Sequence, residues 1–84
     1  MPQLQAAVVR EQNVTFAVAL MKDHVLNNPS VADEQIRAVA SMLGCSIVVL
    51  MGERNRKLRG NRRDVVNFVS RIDPGRLPWR KYSV

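Results

Sequence analysis

The sequence predicts a small two-layer α+β domain with the element order β-β-α-β-β-α and a parallel βαβ pair at its centre. Three observations carry this. Two continuous apolar runs, 14–21 and 45–51, have the length and the β-branched content of strands buried on both faces. One amphipathic helix with start and stop signals lies between them, and that order makes the strands parallel with a right-handed crossover. A short charged strand and a second helix follow, closed by Asp73-Pro74-Gly75.

Residues 4–9 form a short first strand, and Arg10-Glu11-Gln12-Asn13 reads as a polar turn. The run 14–21 ends at Lys22-Asp23-His24, and 27–30 is a loop. Ser30 stands where the first helix needs its N-cap, with Asp33 three residues on as the return partner of a capping box. Ala32, Ile36, Val39, Ala40 and Leu43 then share one stripe, and Asp33 and Arg37 are spaced to pair on the wet side. Gly44 is placed to cap the C-terminus.

After the second apolar run, 52–55 is a turn and 56–60 an edge strand whose Lys and Arg discourage unwanted pairing. Asn61 is the expected cap of the second helix, with Asp64 in its first turn and Val65, Phe68, Val69 and Ile72 on its apolar face. The tail, 76–84, holds the single Trp and the single Tyr and is expected to dock on the domain.

Eighty-four residues make one domain, 1–84. A chain of this size buries roughly 60–65% of its unfolded surface, so its stability is marginal without help. Cys45 and His24 are the only residues of their kinds, which excludes an internal disulfide and a cysteine-rich zinc site. Association with a second copy is the expected aid. No apolar run approaches the ~20 residues of a membrane span, and no basic start leads into an apolar stretch, so a cytoplasmic location is expected. Cys45 itself reads as a small buried apolar residue.

The charge is lopsided. Residues 1–52 carry three basic and four acidic groups, and residues 53–84 carry ten and three, within a net charge of +6. Such a field attracts polyanions. Arg54, Arg56, Lys57, Arg59, Arg62 and Arg63 lie within ten residues and form the first candidate site. Arginine suits phosphate because its planar fork matches the oxygens, and a helix start adds free N–H groups. Against this, a charge run is usually a solvated face. Arg80 and Lys81 in the tail add to the candidate, between Trp79 and Tyr82. That mixture fits base stacking beside a phosphate track, although a lone Trp more often packs on a core.

A second constellation is Lys22-Asp23-His24 with Glu53, in which Asp23, His24 and Glu53 are the residues that carry acid/base chemistry. If the two apolar runs are parallel neighbours, their C-terminal ends bring these residues together, at the end of a sheet where ligands bind. They are weak candidates for acid/base work or half a metal site, since no nucleophile accompanies them. The bland alternative is three polar residues at strand ends. No phosphate-loop or dinucleotide string occurs, and no cofactor is implied.

The reading that follows is a non-enzymatic basic module for an anionic partner, nucleic acid foremost. Its rivals are a homo-oligomeric accessory protein whose basic face serves solubility, and a small metal-dependent hydrolase or nuclease.

Overall fold

The computed structural model describes residues 3–83. They form a small α+β domain around one mixed five-stranded sheet. The elements are β1 (Gln3–Glu11), β2 (Val14–Met21), α1 (Asp23–Leu26), α2 (Pro29–Leu43), β3 (Ile47–Gly52), β4 (Leu58–Gly60), α3 (Arg63–Ser70), a single 3-10 turn at Pro74–Arg76, and β5 (Trp79–Ser83). The sheet order is β4-β3-β2-β1-β5.

β2 and β3 pair in parallel with Phe16 opposite Ile47 and Met21 opposite Gly52. Each contributes to both faces. Ala17, Ala19, Val48 and Leu50 join one core cluster, while Phe16, Val18, Val49 and Met51 join the other. Burial on both sides is why these runs are continuously apolar rather than alternating. α2 covers the first face with Ala32, Ile36 and Val39. α3 covers the second with Val65 and Val69. Helices therefore lie on both faces of the sheet, and the expected two-layer arrangement is corrected to three layers. Cys45 is buried in the first cluster.

β1 and β2 form a hairpin closed by two residues, Gln12 (φ 49°) and Asn13 (φ 65°). Positive φ at both positions suits the right-handed twist of the flanking strands. The strands thus extend into the stretch expected to be a four-residue turn.

The tail, expected only to dock, forms an edge strand. β5 runs antiparallel to β1, with Gln3 opposite Ser83 and Ala7 opposite Trp79. It covers only the first half of β1; among the described residues, the second half, from Val8 to Glu11, is paired with β2 alone.

Four local expectations are corrected. The N-cap of α2 is Asn28, whose side chain accepts from the Val31 N–H at 3.4 Å, with Pro29 in the first helical position. Proline is favoured there because its missing N–H would go unused, so Ser30 is already inside the helix. Asp33 does not pair with Arg37. It accepts from the guanidinium of Arg59, at 3.2 Å. Asn61 does not cap α3. Its side chain accepts from the Val48 N–H at 3.0 Å and donates to the Ser46 carbonyl at 2.7 Å, splicing the end of β4 to the start of β3. The edge strand begins at Leu58, so Arg56 and Lys57 belong to the turn before it. Gly44 does cap α2, in the left-handed conformation at φ 67°.

Candidate functional site

The basic segment is a turn, a short strand and a helix start. Gly52 and Lys57 close the turn between β3 and β4, where the Gly52 N–H donates to the Lys57 carbonyl at 2.9 Å. Arg54, Asn55, Arg56 and Lys57 are all exposed on it. Arg56 sits in the left-handed region at φ 57°, a conformation that costs a residue with a Cβ about 1–2 kcal/mol. Its guanidinium lies 3.8 Å from the Met51 sulfur.

The turn is held by the end of β2 and the start of α1. The Asp23 carboxylate accepts the N–H groups of Arg54 at 3.0 Å and Asn55 at 3.3 Å. The Glu53 N–H donates to the Met21 carbonyl at 2.9 Å. Gly52 makes the approach feasible: a Cβ there would collide with the Asn55 side chain and stand 3.0 Å from Asp23 Oδ1. Asn55 in turn accepts from the Lys57 N–H at 3.0 Å.

The cations of the candidate set fall into three groups. Arg54, Arg56, Lys57 and Arg63 make no ion pair among the described residues. Arg59 is paired with Asp33 at 3.2 Å, and Arg62 with Asp64 at 2.8 Å. Asp64, expected to serve the helix start, thus also neutralises the charge beside it. Arg80 and Lys81 lie on β5, at the opposite edge of the sheet from β4. Four interstrand spacings separate those edges, roughly 19 Å. One surface of contacts is therefore two separate ones. The unpaired cations of the first group flank β4, whose three residues span about 10 Å.

Trp79 is part-buried against the second core cluster, and its indole N–H donates to the Pro74 carbonyl at 2.7 Å. Tyr82 packs against the first cluster. Both aromatics lean on the core, on opposite faces of β5, rather than forming one stacking platform.

Asp23, His24 and Glu53 do come together. With Lys22 and Arg54 they line one open depression of about 340 Å³ at the C-terminal ends of β2 and β3. Asp23 is engaged in holding the 53–57 turn, which is structural work. Among the described residues, no three His, Cys, Asp or Glu side chains are grouped to hold a metal ion. Lys22, named in the sequence with this constellation, stands in the same lining.

Among the described residues, no helix is long and apolar enough to cross a membrane. No family model, no curated protein and no solved structure matches the chain.

Proposed function

We propose that the protein is a non-enzymatic module that binds nucleic acid through the β3–β4 turn and the start of α3. The observation that carries this is the set of four unpaired cations, Arg54, Arg56, Lys57 and Arg63, around β4 on a chain of net charge +6. Arg59 and Arg62 already face carboxylates and contribute less. Contacts of this kind go to phosphates and carry no base preference.

Salt dependence tests it. Each phosphate contact on duplex DNA contributes a slope of about −0.9 in log K against log salt, so four contacts give about −3.6. That slope, with equal affinity for unrelated sequences, is the expected result of fluorescence anisotropy on short duplexes. An affinity no better than millimolar at about 50 mM salt overturns the reading, since counterion release is strongest there.

A second reading, a homo-oligomeric accessory protein, draws on the outer edge of β1 from Val8 to Glu11, which has no second strand beside it among the described residues. Unpaired edges invite pairing with another chain. A dimer in sedimentation with no affinity for heparin would make it the better account.

A further inference from the structure

The depression at the ends of β2 and β3 differs from the exposed turn beside it in one respect. Two segments distant in sequence, the β2–α1 junction and the β3–β4 turn, bring Lys22, His24 and Arg54 to its wall. The segments are stitched by three hydrogen bonds, Glu53 N–H to the Met21 carbonyl and the Arg54 and Asn55 N–H groups to Asp23, so the backbone carrying the cations is fixed before any ligand arrives. Asp23 spends Oδ1 on those amides. Glu53 also lines the depression, yet neither Lys22 nor Arg54 forms an ion pair with it or with any other described residue. Two cations and an imidazole thus line one space together with the carboxylates of Asp23 and Glu53, and no ion pair joins the cations to either carboxylate. The volume, about 340 Å³, lies at the small end of the ~300–1,000 Å³ usual for ligand sites.

We infer that this depression binds a phosphate monoester. Lys22 and Arg54 supply the charge, and His24 an N–H donor. The guanidinium fork matches two phosphate oxygens, and the ammonium acts as a point charge. A terminal phosphate has the extra charge and the free oxygens that an internal phosphodiester lacks, so the site favours a strand end over the middle of a strand. The strand-end form of this inference rests on the nucleic-acid reading above. The same chemistry would equally serve a small phosphate monoester free in solution.

The test has two arms. In the first, inorganic phosphate is titrated into the isotope-labelled protein and the amide shifts are followed. Movement concentrated at Lys22 to His24 and at Glu53 and Arg54 is expected. In the second, a single-stranded oligonucleotide is compared with and without a 5′-phosphate. The phosphorylated strand should bind on the order of tenfold tighter, the worth of one charge-assisted hydrogen bond. Lys22→Gln and Arg54→Gln should each remove most of that preference. Glu53→Gln, which deletes the repelling carboxylate and keeps the shape, should tighten phosphate binding about threefold. Equal affinity for both strand ends, or phosphate shifts away from the depression, overturns the inference and leaves a salt-steep backbone binder standing. Phosphate binding at these residues with no oligonucleotide affinity removes the nucleic-acid reading and keeps the site for a small phosphate monoester.

Discussion

Arg59 on β4 donates from both Nε and Nη2 to one oxygen of Asp33 on α2, at 3.3 and 3.2 Å. The pair holds a cation of the basic segment in the company of a carboxylate from the acidic half of the chain. Both side chains are about half exposed, so the stabilisation is small, about 0.2–1 kcal/mol. Its larger effect is on the charge offered to a partner.

Asp33→Asn should therefore strengthen nucleic-acid binding while leaving stability almost unchanged. The salt slope should steepen by about 0.9 as Arg59 becomes available for a fifth phosphate. Anisotropy over a salt series reads the slope, and urea unfolding reads the stability. A slope identical to that of the parent protein would show that Arg59 never reaches the partner.

Arg56→Gly separates stability from binding at one position. Glycine accepts φ 57° without the Cβ penalty, so unfolding should cost up to about 1 kcal/mol more. The same change removes one cation and should flatten the salt slope by about 0.9. A protein more stable in urea and weaker on duplex DNA is the expected outcome. If the substitution destabilises, the contact of Arg56 with the Met51 sulfur outweighs the backbone relief.

Gly52→Ala should be costly although Gly52 has no left-handed φ. The new methyl meets the Asn55 side chain, with Asp23 Oδ1 at 3.0 Å, at the point where the two segments are stitched. A loss of about 1–3 kcal/mol is expected, typical of overpacking. Amide exchange should speed up at Arg54 and Asn55 first, because their acceptor is displaced. Uniform acceleration across the sheet would locate the strain elsewhere.

The two edges of the sheet should behave differently. Arg54→Ala with Lys57→Ala should reduce the salt slope by about 1.8. Arg80→Ala with Lys81→Ala, at the far edge, should leave it nearly unchanged, because one short duplex contact around β4 does not extend to β5. Equal losses from the two double variants would mean that the partner wraps the sheet from edge to edge.

The contrast between legible and illegible elements has physical causes. The runs at β2 and β3 were legible because each buries residues on both faces, which leaves an unbroken apolar string. The stripe of α2 was legible because Ala32, Ile36 and Val39 all turn to one face. β5 was not legible as a strand. Trp79 packs against one core cluster and Tyr82 against the other, so their spacing of three does not resemble the alternation of a one-sided strand. α1 has four residues, too few for any periodicity. Asn61 looked like a cap because asparagine serves equally as cap and as backbone mimic; only the approach of β3 decides between them. At the candidate site, the cluster of cations was plain in the sequence. Which of them are neutralised was not, since Arg59 finds its partner 26 positions away. The meeting of Asp23, His24 and Glu53 followed from the parallel strands, but the use of Asp23 as an anchor for the turn did not.

The ladder between β1 and β5 joins the first and last described strands, Gln3 to Ser83. During synthesis β5 follows every other described element, so β1 has its hairpin partner β2 long before its outer neighbour exists. Until then β1 is paired through Ala6 and Ala7 with β2, and its other edge, from Gln3 to Ala7, has no ladder partner. Pairing at such a distance is slow to nucleate, and a nascent chain stalled before Trp79 would present that edge to its neighbours on the same message. The order of the strands thus makes β5 a latch that closes the outer edge of β1 only after every other described element has formed.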